Sequence, residues 1–159
     1  MSIPLIVRIS RTDSSRADIP VPQYATAGSA GMDICASLDK DLTVQPGETA
    51  LVPSGFMLEL PQGYEGQVRP RSGLAVKYGI GILNSPGTID SDYRGELKVI
   101  ITNFGPNPFT IHRGDRIAQL VISRFERIEW EEANRVEETS RGKGGFGHTG
   151  LRNTGHGKK

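Results

Sequence analysis

The chain has 159 residues, with 19 Lys+Arg against 18 Asp+Glu and a net charge of +1. That length suits one domain, and the near-neutral balance argues against a non-specific nucleic-acid binder, which carries a basic patch and a high pI. A single cysteine, Cys35, excludes an intrachain disulfide and a Cys-rich zinc site, and no apolar run approaches the roughly 20 residues that span a bilayer. The N-terminal MSIPLIVRIS lacks a long apolar stretch behind a basic start, so no signal peptide is expected. A reducing compartment, such as the cytoplasm, fits the cysteine usage.

In chain order, PLIVRIS, MDICASL, ETALVPSGFMLEL, YEGQVRP, ELKVIITN, PFTIHRG and RIAQLVISRFERI read as strands between frequent Gly and Pro breaks. In ELKVIITN, Leu97, Val99 and Ile101 share one face. In RIAQLVIS both faces are apolar, as in a strand buried in a sandwich or at a subunit contact. Helical signals are weak: SGLAVKYG has room for one or two turns, and RIEWEEANRVEE is a second, poorly periodic candidate. With no βαβ alternation, the pattern predicts an all-β sandwich or barrel.

The composition changes at Thr139. After Ser140 come seven glycines and only two large apolar residues, Phe146 and Leu151. Such a segment buries too little surface to order itself. The expected division is therefore a β domain over 1–138 and a flexible Gly-rich arm over 139–159. The plain reading of the arm is a frayed terminus. Against that stand the lone aromatic Phe146 and the donors Arg141, Lys143 and Thr149 around it, which suit a planar, anionic ligand.

The candidate chemistry lies in short polar stretches. No two of His112, His148 and His156 have metal-ligand spacing, so acid–base work falls to carboxylates. GKGGFG matches G-x-G-x-x-G, but no strand precedes it and no helix follows, which rules out a dinucleotide fingerprint. PRSGLA reads either as an ordinary helix start, with Ser72 capping and Arg71 solvated, or as an anion site. DSDYRG reads either as the polar tip of a hairpin or as a site with Asp90 entering a pocket walled by Tyr93. Gln119 is either a satisfied core amide or a ligand contact, and Asp33 either a turn residue or part of the same site.

Taken together, AGSAGMDI ending in Asp33, PRSGLA, GTIDSDYRGE, RGDRIAQL and RGKGGFGHTG resemble the five ordered motifs of the homotrimeric dUTPase family. The resemblance covers about Tyr24 to Gly150. It implies a jelly-roll-like protomer of the β-clip type, a homotrimer with shared active sites, and an arm that reaches into a neighbour's site. It implies hydrolysis of dUTP to dUMP and pyrophosphate with Mg²⁺, limiting uracil in DNA and supplying dUMP for thymidylate synthesis, without nucleic-acid or membrane partners.

By the same resemblance, Asp90 is the water-activating base and Gln119 contacts the α-phosphate and the attacking water. Tyr93 packs under deoxyribose, and the backbone around Asn84 and Gly87 reads uracil. Ser72 and Arg71 face the phosphates, and Asp33 reaches the metal through a water. Arg141, Gly147 and Thr149 clamp the γ-phosphate, and Phe146 stacks on the base. Gly73, Thr88 and Lys98 complete the expected substrate-binding set. Two rivals are a dCTP deaminase of related fold and a non-catalytic dUTP-binding trimer. GTIDSDYRGE and the Phe146 tail favour phosphate hydrolysis over the first. The joint presence of Asp90, Tyr93 and Gln119 speaks against the second.

Overall fold

A computed structural model describes residues 4–145. Phe146, Gly147 and Thr149 lie outside the described residues. The chain divides into two units, Met1–Arg127 and Ile128–Lys159. Among the described residues of the first, eleven strands, one α-helix and a short 3-10 turn at Ser14–Arg16 are formed, the strands and α-helix in chain order being β1 (Arg8–Arg11), β2 (Gln23–Tyr24), β3 (Met32–Cys35), β4 (Leu42–Val44), β5 (Thr49–Glu59), β6 (Tyr64–Arg69), α1 (Ser72–Tyr78), β7 (Ile80–Ile82), β8 (Gly87–Ile89), β9 (Glu96–Asn103), β10 (Phe109–Ile111) and β11 (Arg116–Arg124). No helix forms over 127–138, where Ile128, Trp130 and Val136 are exposed. RIEWEEANRVEE has no periodic apolar stripe to seat a helix. Among the described residues no helix is long and apolar enough to cross a membrane.

All the ladders are antiparallel. One sheet runs β1-β5-β9-β7, a second runs β2-β3-β11-β6-β8, and β10 pairs with β4. The inner faces of both sheets meet in one core. Val52 and Val99, directly opposite on β5 and β9, are fully buried, as are Ile34 and Ala118 on β3 and β11. Each such valine or isoleucine contributes about 1.5–3 kcal/mol by leaving water. The all-β, jelly-roll-like expectation is therefore met.

Two local devices fix the ends of α1 and β9. Gly79 closes α1 in the left-handed region (φ 70°), its N–H reaching the carbonyl of Ala75 at 3.0 Å. A Cβ there would stand 2.7 Å from the backbone of Gly105, so only glycine lets the helix turn into β7. The buried Asn103 then ties the end of β9 to its surroundings. Its Nδ2 donates to the carbonyls of Val44 (2.9 Å) and Asn107 (2.8 Å), and its Oδ1 accepts from Gly105 N–H (2.9 Å).

Candidate active site

The predicted site residues fall into two groups on the main unit. The first lies on the outward face of the five-stranded sheet. Gln119 on β11 stands opposite Asp33 on β3 and Arg69 on β6, so one row carries an acid, an amide and a guanidinium. Arg71 lies just past β6, after Pro70, and turns back to this row. Its Nε lies 3.1 Å from Asp33 Oδ1, an ion-pair contact without hydrogen-bond alignment, and its Nη1 donates to the carbonyl of Arg116 at 3.0 Å. Arg116 Nη1 donates to Asp33 Oδ2 at 3.0 Å. Asp33 is thus held between two guanidiniums and is largely shielded from solvent.

This geometry overturns the ordinary-helix-start reading of PRSGLA. Arg71 itself occupies the N-cap position, no side-chain hydrogen bond caps the helix, and Arg71 is ion-paired rather than solvated. Ser72 and Gly73 are exposed in the first turn of α1. The half-buried Gln119 side chain packs over Gly31, 3.3 Å from where a Cβ would stand. Arg116 was not expected in the group, because strict alternation along β11 places it in phase with the buried Ala118 and Leu120.

The other arginine of RGDR has a different task. Arg113 Nε and Nη2 grip Asp18 at 2.7 and 2.6 Å, and Nη1 donates to the carbonyl of Leu38 at 2.7 Å. With Arg11, which donates to the carbonyls of Arg16 and Ile19, it pins the 13–19 loop beside a small cluster of Ile19, Cys35 and Phe56. Hydrogen bonding from Arg113 lowers the Asp18 carboxyl to about 2.

The second group surrounds β8, an edge strand of the five-stranded sheet. Asn84 precedes it, in a turn with a cis Ser85–Pro86 bond, and its amide lies against the buried Gly87, 3.0 Å from where a Cβ would stand. Thr88 is exposed. Asp90 follows the strand, solvent-exposed, and its carbonyl accepts Tyr93 N–H at 3.1 Å. DSDYRG is not a hairpin tip. Strand β8 pairs with β6, whereas β9 pairs with β5 and β7, so the loop crosses from one sheet to the other.

The loop braces itself. Arg94 Nη1 donates to the carbonyls of Ser91 (2.7 Å) and Tyr93 (3.0 Å), and Tyr93 Oη donates to the Glu96 carbonyl at 3.1 Å. The half-exposed Tyr93 ring lies on Gly95. Lys98, exposed on β9, approaches Glu96 at 3.7 Å, and Glu96 also accepts Gly55 N–H at 2.9 Å.

The two groups are apart within the chain. Gln119 is level with Arg69 on β6, while Asp90 comes one residue after Ile89, the partner of Gly66. The register separates them by about four residues along the strand direction, roughly 13 Å at 3.3 Å per residue. In the second unit, Arg141 Nε donates to the Gly144 carbonyl at 2.9 Å within a turn whose Gly142 has a φ of 52°.

Comparison with known proteins joins these groups to one family. The dUTPase family model matches residues 17–150. The deoxyuridine 5'-triphosphate nucleotidohydrolase of Anaplasma marginale is 56% identical over 147 residues, covering 92% of this chain and 99% of that protein. The protein of the same name from Caldanaerobacter subterraneus is 50% identical over the same shares. Among solved structures, a Staphylococcus bacteriophage 80alpha dUTPase with dUpNHpp has a TM-score of 0.81 at 24% identity, covering 92% of this chain and 99% of that chain. A dUTPase from phage phi11 of S. aureus, described with a structural Mg(II) ion, has a TM-score of 0.71 at 22% identity, covering 82% and 97%. The chain belongs to the dUTPase family.

Proposed function

We propose that the protein hydrolyses dUTP to dUMP and pyrophosphate at a site assembled from more than one copy of the chain. The observation that carries this reading is the edge strand β8, with Asn84 at one end and Asp90 at the other. An edge strand keeps unpaired backbone donors and acceptors on one side, and these can match the polar edge of a base. A pyrimidine with the wrong pattern would leave buried groups unpaired. The backbone of the buried Gly87, with the Asn84 amide beside it, is the surface that a 5-methyl group would meet. Tyr93 offers an apolar ring to the sugar beside it.

Asp90 then orients the attacking water and takes its proton, since a carboxylate must stand within hydrogen-bond reach of the nucleophile. Gln119, Ser72, Gly73 and Arg71 bind the phosphates, and Lys98 borders the nucleotide. The roughly 13 Å between the Asp90 and Gln119 levels supports a shared site, because one water must meet both groups. A homotrimer meets that need. Arg141, Phe146, Gly147 and Thr149 close over the nucleotide from the arm.

Among the described residues no three His, Cys, Asp or Glu side chains gather into a metal-binding group. A Mg²⁺ ion here would be held mainly by triphosphate oxygens and water. Both Asp33 oxygens face guanidiniums, so Asp33 would reach such an ion through water rather than directly. When bound, the ion neutralises charge on the polyphosphate.

The test is pyrophosphate release from dUTP with Mg²⁺, run on the wild type and on Asp90→Asn. Turnover by the wild type and its loss in the variant, with dUTP binding retained, are expected. A variant as fast as the wild type removes Asp90 as the base, and an inert wild type overturns the assigned reaction.

A further inference from the structure

Strand β11 contains an irregularity that alternation hides. Arg116 stands opposite Cys35, yet Ala118 stands opposite Ile34, so β11 carries one extra residue, Ile117, against β3. From Gln119 to Arg124 the ladder with β6 is regular. An extra residue reverses the faces on one side of it. Ile117 and Ala118 are consequently both buried, and Arg116, which strict alternation would send inward with Ala118 and Leu120, emerges on the face of Asp33 and Gln119. Its guanidinium reaches Asp33 Oδ2, and its carbonyl receives Arg71 Nη1.

We propose that Arg116 is a positioning residue: the bulge at Ile117 delivers it to Asp33, and together they fix the direction in which Arg71 presents its guanidinium to the polyphosphate. This rests on the reading that the site hydrolyses dUTP. Arg71 would otherwise rotate freely on a long, flexible stem. Asp33 alone could hold it, but one carboxylate with an unpaired oxygen would draw Arg71 around to both oxygens, in the bidentate geometry that the pair prefers. Arg116 occupies Oδ2 and leaves only Oδ1 to Arg71 Nε. Arg116 carries out no chemical step in this account; its effect passes through Asp33 and Arg71.

The test is a double-mutant cycle on the full-length assembled protein with Arg116→Ala, Arg71→Ala and both together. With dUTP, Arg116→Ala is expected to raise KM about tenfold and change kcat less than about twofold, as for lost ground-state placement. In the Arg71→Ala background the same change should alter kcat/KM less than about twofold, because the residue it places is gone. Arg116→Lys, which keeps a cation beside Asp33 and disturbs packing least, should recover part of the loss. Thermal unfolding of each variant at matched concentration separates placement from misfolding. If Arg116→Ala proves unstable, the cycle is run with Arg116→Lys and Arg116→Gln. Additive effects on KM, or an unchanged KM in a folded variant, overturn the positioning role. A wild type that does not release pyrophosphate from dUTP overturns the reading beneath it, and the role with it.

Discussion

The ring of Tyr93 lies across Gly95 so closely that a Cβ built on the glycine would collide with the phenolic oxygen and stand 2.5 Å from Cζ. The phenol is also tied to the Glu96 carbonyl. Glycine at 95 therefore leaves room for the ring where it lies, and any side chain there would displace it. If the ring is the floor that distinguishes deoxyribose from ribose, Gly95→Ala must loosen that distinction by lifting it. The ratio of kcat/KM for dUTP over UTP is expected to fall about tenfold, within the range that one misplaced contact commands. An unchanged ratio in a folded variant would remove Tyr93 from sugar selection.

The arm poses a separate question. Arg141 belongs to the second unit, and Phe146, Gly147 and Thr149 lie outside the described residues. The compact first unit ends at Arg127, so truncation after Ser140 removes none of its core. The truncated chain is expected to keep the wild-type melting temperature and oligomeric state and to lose about a hundredfold in kcat, as when a lid that excludes water is deleted. Full activity in the truncated protein would reduce the arm to a solvated terminus.

Much of the fold was legible in the sequence, because β5, β6, β9 and β11 are long enough to display runs of Val, Ile and Leu. β2, β4, β7 and β8, at two or three residues each, are too short for alternation to register, and the equally short β10 was read only from the Pro and Gly that bracket its β-branched run in PFTIHRG. The bulge at Ile117 was hidden for a different reason. One inserted residue leaves no compositional trace, and RIAQLV reads as a strand apolar on both faces when it is a strand whose faces exchange. Asp90, Asn84 and Tyr93 could be picked out because they crowd one polar stretch. Arg116 and Gly95 could not. The meaning of Arg116 depends on a register, and that of Gly95 on the ring resting upon it.

Asn103 allows a test of the scaffold alone. Its amide is fully buried and satisfied by Val44, Asn107 and Gly105. Asn103→Leu fills a similar volume and strands two carbonyls and one N–H. The expected loss is roughly 3 kcal/mol, since buried groups left unpaired cost about 1–3 kcal/mol each and some will find water. Urea unfolding at fixed protein concentration measures it, because stability coupled to assembly shifts with concentration. A loss below about 1 kcal/mol would mean that these backbone groups find other partners.

The pair Asp18–Arg113 should make the 13–19 loop sensitive to acid. Hydrogen bonding from Arg113 lowers the Asp18 carboxyl from 3.8 to about 2 in the folded protein. A carboxylate with a depressed folded pKa stabilises the fold fully above its unfolded value, and that contribution disappears as pH falls through the folded value. The window therefore runs from about pH 4 down to about pH 2. Asp18 is exposed, so solvent and salt screen the effect, and a modest change is expected. Melting temperatures of the wild type and Asp18→Asn should differ at about pH 5 and converge as pH approaches about 2. The difference at the higher pH should shrink in high salt, because the two charges are accessible to ions. A gap that stays constant across the window would show that the grip on Asp18 acts through hydrogen-bond geometry alone and not through its charge.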